Sequence, residues 1–394
     1  MIFLLLAMVI LALIAGVLAY LRGFQSGMSG RYPTVLSSSS TRDPDFVPVV
    51  TYHEVTAERL RDELDFLVRN GYETIDASTL VAWLSGEEPA MPRRPVLLTF
   101  DDGRRSLWST AYPVLREYEL RAMAFICPYF IGDEVVERTE DDRARYFARF
   151  VTWPQLREME ASGVMDVQSH SYEHHRVLVD GRILGFVGAD ALPRLIRWAD
   201  HALAGFPRPP LGTPILPSEP RFGYRRRFHP DPERVRACQE YVAAHGGEEF
   251  FRRPEWRGEL LRAAGLTGDE LVLPGRYETL QEQRDAMVED LAKAKKVLQE
   301  RLDKPVEHLA LPWDQGCTLA AVAAAEVGYR AIYMGYVENA DLCRLGCDCL
   351  AIPRFNAGEN HNRYVKCLPG RGRRSVGRIL LSSALARLWG GRDG

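Results

Sequence analysis

The chain has 394 residues, more than one small domain needs and enough for a barrel-sized domain with appendages. Its net charge is -3 and 26% of its residues are charged. A nucleic-acid binder carries a basic excess to meet phosphate, so that class of partner is excluded.

In chain order, Ile2 to Leu21 holds no charged residue and is long enough to cross a bilayer as a helix. Residues 1–22 read as an anchor, because the apolar run is long and lacks the basic start of a secretory signal; Val17-Leu18-Ala19 offers a cleavage site as the alternative. Arg22 and Arg31 follow this segment and no Lys or Arg precedes it, a bias against export that large domains largely override. Residues 23–46, rich in Gly, Ser, Thr, Arg and Asp, read as a flexible linker.

The domain proper spans 47–367. A strand leads into His53, then Leu60, Leu64, Leu67 and Val68 repeat at helical spacing, with a short strand over 72–75 and a helix over 80–84. Val96 to Phe100 is an apolar run of strand length that ends in Asp101, Asp102 and Gly103. Side chains alternate along a strand, so the two carboxylates point apart, one free to hold a cation and the other to face its water. Helix over 111–118, strand over 122–127, helix over 153–162 and strand over 164–168 follow. This alternation predicts a parallel sheet or barrel of the α/β class, with the motif residues at the C-terminal strand ends where barrel enzymes place their sites.

His170 and His174 lie four apart, so on a helical turn both imidazoles project from one face. With Asp102 they compose a two-His, one-carboxylate site for a divalent ion. Alone, Asp-Asp-Gly is an ordinary turn and a His-x3-His pair an ordinary surface feature; their order after predicted strands points to a metal hydrolase. Residues 180–278 read as an insertion at the barrel rim, with prolines and Arg225-Arg226-Arg227 in its middle, the triplet read as solvated surface. Leu280, Met287, Leu291, Leu298 and Leu302 predict a helix over 278–303, and strands follow near 329–335 and 350–354. Among seven cysteines, the dense run Cys343, Cys347 and Cys349 suggests a disulfide, a small metal clip or free thiols, and its spacing fits no standard zinc pattern. The tail 368–394 is basic with interspersed leucines: an amphipathic helix on an anionic membrane, a disordered tail, or a helix packed on the barrel.

Thr99-Phe100-Asp101-Asp102-Gly103 is the motif TFDDG unaltered, and His170 to His174 fits H-[ST]-x-x-H. In this order they resemble the polysaccharide deacetylases with the NodB-type domain, carbohydrate esterase family 4. Tyr52-His53-Glu54-Val55 resembles the YHxV opening of the branch acting on poly-N-acetylglucosamine exopolysaccharide. Gly71-Tyr72 and residues 76–80 continue that pattern, and 308–316 resembles the family's third motif. The resemblance covers roughly residues 46–366. It implies a distorted (β/α) barrel of the NodB type, carrying the N-terminal transmembrane helix and the rim insertion, that removes N-acetyl groups from an extracytoplasmic polysaccharide with one divalent metal ion. Zinc is the foremost metal, with Fe, Co and Ni suited to the same ligands. It implies as partners the N-acetylated polysaccharide, the membrane through the N-terminal helix, and exopolysaccharide synthesis or export machinery.

Residue by residue, the resemblance makes Asp102, His170 and His174 metal ligands, Asp101 the general base, and Pro312 and Trp313 the substrate-binding stretch. The family's late Leu-x-His acid is missing, which leaves His53 as the acid with His361 in reserve. Ala310 stands where the family's base-pairing arginine belongs, and Arg354 is the substitute. Two other classes compete. An Fe(II) oxygenase would carry its carboxylate beside a histidine, unlike Asp102, and a non-catalytic carbohydrate-binding barrel or scaffold would have no use for four intact residues.

Overall fold

A computed structural model describes residues 46–87, 89–134, 148–188, 209–266, 271–335, 343–357 and 364–373. The anchor 1–22, the linker up to residue 45, His361 and the tail beyond 373 lie outside these residues. No described helix is long and apolar enough to cross a membrane.

The first half alternates as the hydrophobic pattern predicts: β1 (Val49–Tyr52), α1 (Ala57–Arg69), β2 (Glu73–Thr74), α2 (Ala77–Leu84), β3 (Pro95–Phe100), α3 (Tyr112–Glu117), β4 (Ala122–Ile126), α4 (Trp153–Ala161) and β5 (Met165–Ser169). Local chemistry fixes the helix starts. Thr56 accepts from Arg59 N–H ahead of α1, Asp76 from Thr79 N–H ahead of α2, and Thr152 with Gln155 forms a capping box on α4.

The segment read as a rim insertion is, over its described residues, a folded unit. It holds β7 (Gly185–Phe186), β8 (Pro214–Ile215), β9 (Ser218–Pro220), β10 (Phe228–Pro230), α5 (Pro232–Ala244), α6 (Trp256–Ala263) and β11 (Gly275–Tyr277), and β6 (Arg176–Leu178), just before it, pairs with β9. Phe186, Val235, Cys238, Val242, Phe250 and Leu260 give it a core of its own, so burial of apolar side chains orders it. Of the arginine triplet, Arg225 and Arg226 are exposed as expected.

The chain returns through α7 (Leu280–Leu302), capped by a Thr279–Glu282 box, then β12 (His308–Ala310), α8 (Thr318–Val327), β13 (Ala331–Met334), β14 (Ile352–Pro353) and β15 (Phe355–Asn356). The main sheet is parallel throughout, ordered β14-β13-β12-β5-β4-β3-β1-β15, with β2 beside β3. Its two edge strands, β14 and β15, are separated in sequence by Arg354 alone. Arg354 N–H donates to Met334 O at 2.8 Å and Ala357 N–H to Thr51 O at 2.8 Å, so this segment bridges β13 to β1 and draws the sheet into a nearly closed barrel.

Alternation divides the side chains. Val50, Tyr52, Leu98 and Phe100 face the helices, while Val49, Leu97, Phe125, Tyr333 and Ile352 form a second cluster that Leu80 and Leu84 of α2 join. All seven cysteines are free thiols, so Cys343, Cys347 and Cys349 take the third of the alternatives read from their spacing. The Cys343 carbonyl pairs with Val47 N–H, and Cys347 Sγ accepts from Arg344 N–H.

Candidate active site

Asp101 follows Leu97 and Thr99 in strand phase and enters the barrel. There Arg354, fully buried, donates to both its oxygens, Nη1 to Oδ1 at 2.8 Å and Nη2 to Oδ2 at 2.7 Å. The same guanidinium reaches Asp314 Oδ1 at 2.8 Å. Burial pushes the Asp101 carboxyl upward, but the Arg354 charge and bonds, helped by His170 and His53, hold it below the ordinary carboxylate range. The arginine that sequence reasoning placed on a neighbouring strand thus stands against the carboxylate it was meant to serve.

Asp102 leaves the strand. Its φ of 71° is left-handed, and Gly103 continues at φ 74° with no room to spare: an added Cβ would stand 3.0 Å from Ile126 Cδ1. Asp102 Oδ1 then lies 3.5 Å from His170 Nε2 and 3.3 Å from His174 Nε2, while Oδ2 accepts from Arg104 Nε at 3.0 Å. One ligand atom from each of Asp102, His170 and His174 falls within 4.8 Å of the others, and all three residues are buried.

The two histidines meet by a different route from the one predicted. Residues 170–175 are not helical; Ser171 and His174 adopt φ of 63° and 54°, and this tight irregular turn brings the rings together at 4.9 Å. The turn fills the six residues between the end of β5 at Ser169 and the start of β6 at Arg176.

The donor set suits a divalent ion. Asp102 Oδ1 and His170 Nε2 are buried without a hydrogen-bond partner among the described residues. His170 Nδ1 lies 2.9 Å from the Ala310 carbonyl, which can only accept, so Nδ1 carries the proton and Nε2 offers its lone pair inward. Burial pushes His174 down to about 3, His170 and His53 adding to the effect against Asp102, which keeps it a neutral imidazole. Asp102 is held well below its ordinary range, burial being overcome by His174, the contact with His170, and Arg104. For His170, the charges of Asp101 and Asp102 outweigh burial and raise it.

His53 follows β1 at the same barrel end, near enough to lower Asp101, Asp102 and His174 electrostatically, and its Nδ1 is buried without a hydrogen-bond partner. Pro312 is buried beside the site. Trp313, at φ 62°, packs its ring 4.9 Å from that of His174 and lies 5.0 Å from the Arg176 guanidinium, so it braces that imidazole.

Three participants escaped sequence reasoning. Arg104 follows the aspartate pair directly, and Asp314 follows Trp313. Asp290 sits on the inner face of α7 beside Met287, Leu291 and Ala294, and a carboxylate among core positions was the signal available.

The sequence profile described as "Polysaccharide deacetylase" matches residues 88–203, a stretch that contains Asp101, Asp102, His170 and His174 and leaves out His53, Trp313 and Arg354. The chain carries a polysaccharide deacetylase domain. Relatives agree with this. A poly-beta-1,6-N-acetyl-D-glucosamine N-deacetylase of Escherichia coli is 28% identical over 134 residues, which are 32% of this chain and 18% of that protein. The enzyme of the same name from Staphylococcus aureus is 26% identical over 86 residues, 22% of this chain and 27% of that one. The match thus spans less than a third of these relatives' length.

Among solved structures, a de-N-acetylase from Aggregatibacter actinomycetemcomitans aligns with a TM-score of 0.52 at 18% identity, over 82% of this chain and 99% of that one. The BpsB deacetylase domain from Bordetella bronchiseptica aligns at 0.50 and 18% identity, over 80% and 97%. Both support the NodB-type barrel as the fold of this deacetylase domain.

Proposed function

We propose that this chain hydrolyses N-acetyl groups on an extracytoplasmic polysaccharide, a polymer of the poly-N-acetylglucosamine, chitin or peptidoglycan-glycan kind, with residues 1–22 holding the domain at the membrane and export machinery as its neighbour. The observation that carries the reading is the convergence of Asp102, His170 and His174 beside an aspartate, Asp101, that two bonds from Arg354 hold in place 3.7 Å from His170 Nε2.

Asp102, His170 and His174 would hold one divalent ion, zinc first and Fe, Co or Ni by the same donor chemistry. When bound, such an ion lowers the pKa of water and polarises an amide carbonyl. Asp101 takes the proton of the attacking water, its carboxylate fixed in orientation by the Arg354 fork. A backbone N–H near Trp313 donates to the developing oxyanion. His53 delivers the proton that the departing amine needs, its buried Nδ1 being uncommitted. Pro312 and Trp313 line the way in, where an aromatic face suits a pyranose ring.

Acetate release from poly-N-acetylglucosamine and chitin oligomers tests the reading, after the metal content of the purified domain has been measured. Asp101→Asn is expected to abolish release while the ion stays bound. An unchanged rate refutes Asp101 as base, and a wild type without ion or acetate release leaves a carbohydrate-binding scaffold.

A further inference from the structure

The turn that joins the two proposed histidine ligands has no regular secondary structure, and its left-handed residues, Ser171 and His174, persist only where their surroundings over-determine them. We propose that Asp290 of α7 is the positioning residue that fixes this turn and with it the metal-binding geometry, an inference that rests on the metal reading above. Its Oδ1 accepts from Tyr172 N–H at 2.9 Å, and its Oδ2 stands 3.7 Å from His175 Nδ1.

Tyr172, between the two ligands, is held at every side. Its carbonyl accepts from Tyr129 N–H at 3.2 Å, and Lys293, one turn along α7 from Asp290, places its ammonium 3.8 Å from the Tyr172 ring centre. The far end of the turn is tied to the same helix: Arg221 N–H donates to His175 O at 3.2 Å, and the buried Arg221 guanidinium bonds Glu278 and the Gln283 carbonyl. Asp290 is not itself one of the proposed ligands. It sets the distance between His170 and His174 by anchoring the peptide between them, the task that outer carboxylates perform at metal centres.

The experiment compares Asp290→Ala, which removes the acceptor, with Asp290→Asn, which keeps one. Co2+ is titrated into chelator-treated full-length protein, and affinity and visible absorption are read together; amide hydrogen exchange over residues 170–176 is followed without metal. Asp290→Ala is expected to weaken Co2+ binding about 10- to 100-fold, to change the absorption band, and to speed exchange at Tyr172. Asp290→Asn is expected to stay within about threefold of wild type, because the Tyr172 N–H keeps its acceptor. Asp290→Ala with wild-type affinity, spectrum and exchange overturns the positioning role. If wild type itself takes up no Co2+, the metal reading falls instead, while exchange over 170–176 still reports whether Asp290 holds the turn.

Discussion

Replacing Arg354 by methionine removes a guanidinium that is fully buried and leaves its main partner, Asp101, equally enclosed. Two charge-assisted bonds, at 2.8 and 2.7 Å, disappear from Asp101 and one at 2.8 Å from Asp314. Asp314 is 30% exposed and recovers water, so its loss counts for little. Asp101 cannot recover water, and an uncompensated buried carboxylate costs about 3–5 kcal/mol. The expected loss is therefore about 4 kcal/mol near neutral pH, a fall in Tm on the order of 10 °C. Asp101→Asn removes the charge that makes the arginine necessary, so adding it to Arg354→Met should return a large part of the loss. A cycle of the two single variants and the double variant, measured by urea denaturation in the presence of a chelator, isolates this term from metal binding. The expected coupling is about 2–3 kcal/mol. If the two single costs add to within about 0.5 kcal/mol, Arg354 is not the counter-charge of Asp101 and the account of the base collapses. In the metal-loaded protein the same substitution should slow acetate release about 100-fold by letting the base wander.

Asp102→Ala should abolish stoichiometric binding of a divalent ion, read by elemental analysis, because it removes the acceptor that both imidazoles face; retention of a full equivalent would move the metal elsewhere. Gly103→Ala is expected to cost about 1–3 kcal/mol, since it forces a side chain into a left-handed position whose Cβ meets Ile126 at 3.0 Å, and denaturant midpoints check it. Asp290 gives a pH signature. Burial first, then the Glu173 charge, raise its carboxyl to about 7 against the pull of the Tyr172 N–H and Arg221, with His175 also beside it. Between its ordinary value near 3.8 and about 7 the folded chain holds a proton that the unfolded chain has lost, so stability falls as pH rises through that window, by up to roughly 4 kcal/mol. Asp290→Asn should flatten this slope; a slope equal to that of wild type would assign the effect to other groups.

Much of the barrel could be read from the chain because its signals are local. Apolar runs of strand length, caps such as Thr56, Asp76 and Thr152, and the stripe of Met287, Leu291 and Leu298 each depend on neighbours a few residues away. The elements inside the insertion were not legible, since its strands are two or three residues long, too short for periodicity to register, and its core exists only once α5 and α6 pack.

The sequence by itself singled out the residues proposed to hold the chemistry: the paired aspartates after an apolar strand, the histidines four apart, and an arginine on a neighbouring strand. Only the tertiary structure decided how they meet. Closure of the sheet between β14 and β15 carries Arg354 onto Asp101 across 253 residues of chain. The left-handed turn at Ser171 and His174, not a helix, aims both imidazoles at Asp102, and Asp290 on a distant helix holds that turn. Such contacts have no local signature, because the free energy that fixes them comes from burying groups far apart in sequence against one another.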